Sequence, residues 1–282
     1  QRIIPYTIED TLWKPLAMIT IATFAAGGRV CDNRAMEPRN YLEMIRAANV
    51  YDVAIESPLE LAKNLSAKIQ NTVLLKREDL QSVFSFKLRG AFNKISNLSD
   101  AELANGIICS SAGNHAQGVA LAAQKQGIRA VVVMPVTTAS IKVNAVRELG
   151  GEVVLSGDAY DDAYAHAREL ADQQTLTFVH PFDDPLVIAG QGTIGLEILK
   201  QSDGKIDAIF VPIGGGGLIA GIASCIKLLH PEIRIIGVEP EDSAGMRDSL
   251  IAGHPVSLQH VGIFADGVAV RRVGDETFRL CQ

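Results

Sequence analysis

The sequence predicts an α/β protein built on parallel sheets, and three observations support this prediction. Short apolar runs alternate with longer helical patterns through most of the chain, which is typical of parallel strands joined by crossover helices. Two of the apolar runs end in small polar or glycine-rich turns that lead directly into a helical pattern. The chain has 282 residues, of which 48% are hydrophobic, so it is long enough for two modest domains with buried cores.

The first part of the chain carries the weaker patterns. Residues 1–40 fit none, and we assign them to an N-terminal arm of uncertain role. A helical pattern begins at Tyr41, and Ser57 followed by Pro58 predicts the N-cap and first turn of a second helix. A short strand is then expected at residues 73–76 and a helix from Lys87 to Asn97.

The rest of the chain alternates strands and helices at regular spacing. Strands are expected at 107–110, 130–135, 153–155, 177–179, 208–213 and 233–239, and helices at 116–126, 141–149, 158–172, 187–200 and 219–229. The proline-rich turn at 180–185 is a natural domain connection. We therefore expect a small domain at 106–184 that interrupts a large domain formed by 41–105 and 185–282.

Composition excludes several classes of protein. The formal charge of −6 and the absence of a basic stripe argue against a nucleic-acid partner. No apolar run reaches the length of a membrane span, and the N-terminus is not a convincing signal peptide. The cysteines are scattered without metal-ligand spacing, which favours a reducing, cytoplasmic compartment over a disulfide framework: Cys31, Cys109, Cys225 and Cys281.

The stretch Ser85-Phe86-Lys87-Leu88-Arg89-Gly90 sets one lysine between two apolar side chains at the start of a helical pattern. Partial desolvation lowers the pKa of a lysine, and a neutral amine is the form that attacks a carbonyl to make a Schiff base. A surface lysine whose stem covers the helix flank is the ordinary alternative for Lys87 considered alone.

Two other stretches favour the chemical interpretation. The segment Ser110-Ser111-Ala112-Gly113-Asn114-His115 follows an apolar strand and precedes an Ala-rich helix, an order that directs free backbone N–H groups at an anion. The four glycines Gly214–Gly217 and Leu218 follow another strand, and they allow backbone to wrap a phosphate where a Cβ would collide. One lysine, one carboxylate-sized polar loop and one phosphate loop together indicate pyridoxal 5′-phosphate holding an amino acid.

At this point the chain resembles the fold-type II, tryptophan-synthase-β-like pyridoxal-phosphate enzymes, and within them the biosynthetic threonine deaminases. Ser-Phe-Lys-Leu-Arg-Gly-Ala, Ser-Ala-Gly-Asn-His-Ala-Gln-Gly and Gly-Gly-Gly-Gly-Leu occur in that family in this order and at similar spacing, and the resemblance covers about residues 41–282. It implies two parallel-sheet domains with the cofactor in the cleft. It also implies dehydration and deamination of L-threonine to 2-oxobutanoate and ammonia, with L-serine as a slower substrate, in isoleucine biosynthesis.

The resemblance assigns roles to individual residues. Lys87 would hold the cofactor and then act as base on the substrate Cα proton, with Phe86 beside the cofactor ring. Gly214–Gly217 and Leu218 would bind its phosphate, and Asn114 its 3′ oxygen, although an ordinary helix N-cap is the alternative for Asn114. The substrate carboxylate would lie against Ser111, Ala112, Gly113 and His115. For His115, ordering the loop by a hydrogen bond is favoured over a role as general base.

Three rival functions remain open. A catabolic serine/threonine dehydratase uses the same site. A serine racemase is disfavoured because similar racemases carry a second acid/base serine where this chain has Ala112, and alanine cannot carry a proton. A non-catalytic, truncated cofactor-binding fragment is the third rival.

Further expectations follow from the comparison with the same family. The serine or threonine expected against the pyridine nitrogen, and the isoleucine-binding regulatory domain, would both lie beyond Gln282, so the large domain is expected to be C-terminally incomplete. No metal is expected, because Gly245 stands where metal-binding relatives carry a second acid after Glu239. Relatives of this kind form dimers or tetramers, so we expect a homo-oligomer.

Overall fold

The computed structural model describes residues 19–23, 38–262 and 264–282, and these form two compact units. The first, here the lysine unit, comprises residues 48–181 and 197–202. The second, here the glycine-loop unit, comprises the described residues up to 47 together with 182–196 and 203–282. Most of the predicted N-terminal arm (1–18 and 24–37) lies outside the described residues.

Strands and helices alternate along both units. The strands are β1 (Ile19–Thr23), β2 (Leu59–Leu61), β3 (Leu74–Lys76), β4 (Ile107–Ser110), β5 (Ala130–Met134), β6 (Glu152–Leu155), β7 (Thr177–Phe178), β8 (Ala208–Pro212) and β9 (Arg234–Pro240). The helices are α1 (Pro38–Ala47), α2 (Lys63–Ile69), α3 (Lys87–Ser96), α4 (Asp100–Leu103), α5 (Asn114–Gln126), α6 (Ser140–Glu148), α7 (Tyr160–Gln174), α8 (Pro185–Gln201), α9 (Gly217–Leu229), α10 (Gly245–Ala252) and α11 (Asp275–Cys281).

The lysine unit is organised around a four-stranded parallel sheet in the order β6-β5-β4-β7. Its two central strands, β4 and β5, are buried throughout, which explains why they appear in the sequence as continuous apolar runs. On one side the sheet packs with α3 and α5, including Phe92, Val119 and Ala123, in one apolar cluster. A second cluster joins the alternate residues of these strands to the alanines of α7. The predicted parallel sheet with crossover helices is confirmed.

The glycine-loop unit contains a sheet in the order β1-β9-β8. Strands β8 and β9 are parallel, as expected, and the buried helix α9 connects them. Strand β1 pairs with β9 in the antiparallel direction, although the sequence of this segment carried no recognised strand pattern. A mixed edge of this kind is common on otherwise parallel sheets.

One predicted helix is wrong. Ser57 and Pro58 were expected to start a helix, but Leu59–Leu61 forms β2, which pairs in the antiparallel direction with β3, and the helix begins only at Lys63. The Ser57 hydroxyl donates to the Glu78 carboxylate at 2.6 Å instead of capping a helix. Pairing of β2 with β3, on the far side of α2, therefore overrides the local N-cap signal.

The compact units divide the chain differently from the domain boundaries expected from the sequence. Residues 48–105 belong to the same unit as the four-stranded sheet, whereas the sequence placed 41–105 with the large domain. The boundaries of 106–184 and of 41–105 with 185–282 stay a prediction. Across the described ranges, no helix has both the length and the apolar character required to cross a membrane.

Candidate active site

Lys87 is the first residue of α3, and close helix packing holds it beside the polar loop of residues 111–115. Helix α5, which follows that loop, crosses the start of α3 at Gly118, where an added Cβ would lie 3.0 Å from the Leu88 nitrogen and 3.1 Å from the Lys87 carbonyl carbon. Only glycine allows this approach. The backbone N–H of Lys87 also donates to Ser85 Oγ at 3.3 Å, which tightens the turn into α3.

The ε-amino group of Lys87 lies in an environment that favours its neutral form. Its Nζ donates to the carbonyl of Pro181 at 3.3 Å and lies 5.4 Å from the centre of the Phe86 ring. No carboxylate is hydrogen-bonded to it within the described part of the chain. Burial lowers the pKa of Lys87 to about 8, so a useful fraction of the amine is neutral near physiological pH.

The loop at residues 111–115 presents polar groups next to α5. Asn114 is the first residue of the helix, and its exposed side chain makes no hydrogen bond to any residue that the structure describes. The N-cap position belongs to Gly113, so the alternative role of Asn114 as an N-cap is wrong. Ser111 Oγ accepts from the backbone N–H of Gly113 at 3.2 Å and gives the loop its shape, while Ala112 is partly exposed and brings no polar side chain.

His115 is buried and orders the loop. Its Nε2 lies 3.0 Å from the carbonyl of Val179, which can only accept, so Nε2 carries the hydrogen. Burial, assisted by the positive charge of Lys87, lowers the pKa of His115 to about 3. The ring is therefore neutral at pH 7, and its Nδ1 is a buried acceptor without a partner among the described residues. This geometry fits the favoured role as a hydrogen-bonding anchor of the loop.

The glycine loop Gly214–Gly217 connects β8 to α9 in the other unit, and Leu218 lies in the first turn of that helix. Side chains cannot be accommodated at two of its positions. A Cβ on Gly215 would lie 2.3 Å from the ring of Phe182, and Gly216 has a φ of +99°, in the left-handed region. Gly215 therefore lacks space for a side chain, and Gly216 has a backbone conformation that other residues rarely adopt.

The backbone of this loop forms a ready site for an anion. The N–H groups of Gly214, Gly215 and Gly216 donate to no other group among the residues that the structure describes. They precede the N-terminus of α9, where the partial positive charge of a helix adds to the attraction. The loop therefore fits a phosphate group. It offers unsatisfied backbone N–H donors, and its backbone follows a path that side chains would obstruct.

Glu239, at the end of β9, is buried and hydrogen-bonded to the backbone at the start of α10. Its buried carboxylate accepts hydrogen bonds from the backbone N–H groups of Met246, at 2.8 Å, and Arg247, at 2.9 Å. Burial raises the pKa of Glu239 to about 7. In the described ranges, no three His, Cys, Asp or Glu side chains form a group that could hold a metal ion.

Sequence reasoning missed two sets of residues that support these loops. Arg89, two residues after Lys87, is completely buried and pairs with the carboxylates of Glu78 and Glu197. Thr277, buried in α11, donates to the carbonyl of Gly215 at 2.6 Å. Arg89 lies within the motif around Lys87, but no local pattern indicates its ion-pair partners. No motif or periodic pattern marks the sequence around Thr277.

The comparison with known proteins agrees with the geometry. Residues 50–282 match the family described as pyridoxal-phosphate dependent enzyme. The chain is 59% identical over 250 residues to the biosynthetic L-threonine dehydratase IlvA of Burkholderia multivorans, covering 88% of this chain and 49% of that protein. The chain thus spans about half the length of the curated relatives that it matches.

Solved structures show the same fold. The processed form of threonine deaminase isoform 2 from Solanum lycopersicum is 51% identical, with a TM-score of 0.87, covering 98% of this chain and 77% of that one. Maize serine racemase is 33% identical, with a TM-score of 0.82, covering 85% of this chain and 73% of that one. The predicted fold type, its resemblance to the biosynthetic threonine deaminases and the predicted cofactor are confirmed, and the chain belongs to the pyridoxal-phosphate dependent enzyme family.

Proposed function

We propose that the protein converts L-threonine to 2-oxobutanoate and ammonia, the first step of isoleucine biosynthesis, and turns over L-serine more slowly. The observation that carries the proposal is the amine of Lys87, whose pKa is about 8, held at the start of α3 beside the polar loop at 111–115. The 59% identity to a biosynthetic L-threonine dehydratase supports the choice of substrate.

When bound, pyridoxal phosphate supplies an aldehyde that condenses with amino groups and a ring that takes up electrons from the substrate Cα. Lys87 Nζ would hold the cofactor covalently and, once released by the substrate, would be placed to accept the Cα proton. The Cβ hydroxyl would take up a proton and leave as water, and the released enamine would tautomerise to an imine that consumes one water on hydrolysis. The net balance is one threonine to one 2-oxobutanoate and one ammonia.

The remaining residues bind and orient. We assign the phosphate to the N–H groups of Gly214–Gly217 and Leu218, and the 3′ oxygen to the Asn114 amide, which has no competing partner among the described residues. Phe86, whose ring centre lies 5.4 Å from Lys87 Nζ, would pack beside the cofactor ring. The substrate carboxylate is assigned to Ser111, Ala112, Gly113 and His115, on the loop that the hydrogen bond from His115 Nε2 to Val179 anchors.

A serine racemase is the second candidate, favoured by the 33% identity to the maize enzyme. Racemisation requires a proton donor on the face of the carbanion opposite to Lys87. The partly exposed Ala112 offers no such group, and His115, with a pKa of about 3, carries no spare proton at neutral pH. One-sided elimination is therefore the better assignment. A catabolic serine/threonine dehydratase shares this chemistry, so separating it from the biosynthetic role requires the isoleucine response of the whole protein.

A product assay tests the proposed function. Purified protein supplied with pyridoxal phosphate and L-threonine should release 2-oxobutanoate and ammonia in equal amounts, and L-serine should give pyruvate at a lower rate. Chiral chromatography of the serine reaction should find no D-serine. Accumulation of D-serine would favour the racemase, and a bound cofactor spectrum without turnover of either substrate would favour a non-catalytic fragment.

The lowered pKa of Lys87 predicts the pH dependence of cofactor attachment. The neutral amine is the reactive form, so the attachment rate should rise with pH and level off above about pH 8, instead of continuing to rise towards the ordinary lysine pKa of about 10.4. Borohydride trapping followed by peptide mass spectrometry measures this rate for Lys87. Exposed Lys125 on α5 provides the internal comparison. A trapping rate at Lys87 that climbs steadily to pH 10 would contradict the prediction.

Gly215→Ala should weaken cofactor binding because the new methyl group would lie 2.3 Å from the Phe182 ring. Overpacking of this kind costs about 1–3 kcal/mol, so we expect the dissociation constant for pyridoxal phosphate to rise about tenfold. Absorbance titration measures the constant. Gly204→Ala is the matched control, since no atom lies within 4 Å of its added Cβ. Equal affinity in the two variants would argue against a role of the loop in binding.

We also propose a cytoplasmic location and a homo-oligomeric state, either dimer or tetramer. The location is supported by the buried, free thiols of Cys109, Cys225 and Cys281, which suit a reducing compartment. The oligomeric state rests on the family resemblance, and light scattering of the purified protein tests it directly.

A further inference from the structure

The glycine loop is supported from one side by the short helix α11. The carbonyl oxygen of Gly215 accepts the Thr277 hydroxyl at 2.6 Å and the Gly274 backbone N–H at 3.2 Å. These two donors occupy both lone pairs of the carbonyl. The Thr277 hydroxyl also lies 3.2 Å from the carbonyl of Gly274, but it has a single hydrogen, and the shorter contact is with Gly215.

Helix α11 is itself firmly attached. The Asp183 carboxylate accepts from the backbone N–H groups of Asp275, Glu276 and Thr277 at 3.0, 3.0 and 3.2 Å. Asp183 follows Phe182, whose ring occupies the space where Gly215 would carry a Cβ. The hydrogen bonds to Asp183 therefore fix the position of Thr277 beside Gly215.

The consequence for the loop follows from peptide geometry. A trans peptide unit is planar, and its C=O and N–H point in opposite directions. Because Thr277 and the Gly274 N–H hold the carbonyl of Gly215, the N–H of Gly216 points away from α11. That N–H has no acceptor among the described residues. Gly216 has a φ of +99°, and a Cβ added there would lie 2.8 Å from Thr277 Oγ1.

From these contacts we infer that Thr277 is a positioning residue for the cofactor phosphate, acting through the Gly215–Gly216 peptide. Thr277 touches no reacting atom. Its hydroxyl orients the Gly216 N–H towards the phosphate before the phosphate binds. The loop therefore does not have to rearrange on binding. The inference rests on the proposed assignment of the loop to the cofactor phosphate.

The test compares two ligands that differ only in the phosphate. Thr277→Val keeps the shape of the side chain and removes the hydroxyl, whereas Thr277→Ser keeps the hydroxyl. Dissociation constants are measured by absorbance for pyridoxal 5′-phosphate and for pyridoxal. We expect Thr277→Val to weaken pyridoxal 5′-phosphate by about tenfold or more and pyridoxal by less than about twofold, with Thr277→Ser within about threefold of wild type for both.

The outcomes separate the inference from simpler explanations. Equal losses for both ligands in Thr277→Val would mean that Thr277 only stabilises the fold, and unchanged affinity for both would remove its role altogether. Either result overturns the inference while wild-type binding and threonine turnover still support the proposed function. If wild type shows no preference for the phosphorylated ligand, the assignment of the loop is wrong, and the inference falls with it.

A measurement on the wild-type protein covers the case in which Thr277→Val does not fold. Titration with inorganic phosphate should shift the backbone amide resonance of Gly216, and the shift should be retained in Thr277→Ser. The amide of Gly204, on the same unit but outside the glycine loop, should not move. A Gly216 amide that is insensitive to phosphate would overturn the inference.

Discussion

Replacing Lys87 by alanine is expected to abolish both covalent attachment of pyridoxal phosphate and formation of 2-oxobutanoate, to below the detection limit of the assay. Under the proposed function, the variant loses both the amine that would form the attachment and the base that would accept the Cα proton. Loss of a general base alone typically costs about 10²–10⁴-fold in rate. The Nζ of Lys87 bonds only to the Pro181 carbonyl among the described residues, so its removal leaves no buried charge unpaired.

The measurement combines borohydride reduction, mass spectrometry and a keto-acid assay. Lys125→Ala, which removes an exposed lysine from α5, is the matched control and should behave as wild type. Thermal unfolding of Lys87→Ala should stay close to that of wild type, which separates loss of chemistry from loss of fold. Reducible attachment that persists in Lys87→Ala would place the reactive amine elsewhere.

Arg89→Met is expected to lower the free energy of unfolding by about 3–5 kcal/mol, the cost of removing one partner from a buried ion pair. The Arg89 guanidinium has no exposed surface, and it donates to Glu78 at 2.8 Å and to Glu197 at 3.1 Å. Glu197, which is 2% exposed, also pairs with Lys76 at 2.6 Å. Without Arg89, Glu197 would keep its ion pair with Lys76, whereas Glu78 would keep hydrogen bonds from the neutral Ser57 and Gln81 but lose its counter-charge.

Urea unfolding of the two variants Arg89→Met and Arg129→Met measures the effect. Arg129 makes a two-pronged pair with Glu152, but both side chains are about half exposed, at 44% and 53%. Exposed pairs contribute about 0–1 kcal/mol, so Arg129→Met should be nearly neutral. Similar losses in the free energy of unfolding for both variants would show that burial does not determine how much the Arg89 ion pairs contribute to stability.

The Arg89 network also bears on the chemistry, because Arg89 follows Lys87 by two residues on the same first turn of α3. A further hydrogen bond joins Arg89 to the carbonyl of Ile55 at 3.1 Å, so three separate segments hold this turn. Arg89→Lys should not restore stability, since an ammonium group cannot reproduce the planar, forked contacts of the guanidinium.

The alternation of strands and helices, and the positions of Lys87 and of the two loops at helix starts, could all be predicted from the chain alone. Each depends on local chemistry: buried parallel strands require continuous apolar runs, and a phosphate loop requires consecutive glycines before a helix. The observed bounds of β4 and β5 lie within one residue of the predicted ones. Gly214–Gly217 and Lys87 lie at helix starts, as their patterns indicated.

Only the tertiary structure shows which distant segments of the chain contact one another. Arg89 and Glu197 are 108 residues apart and Thr277 and Gly215 are 62 apart, so no local periodicity could pair them. The same reason explains β1, which is a strand because it pairs with the edge of β9. The pairing of β2 with β3 spans only the short helix α2, but it still overrides a helix-start signal. Local sequence specifies which groups can react, whereas long-range packing specifies which neighbours hold them in place.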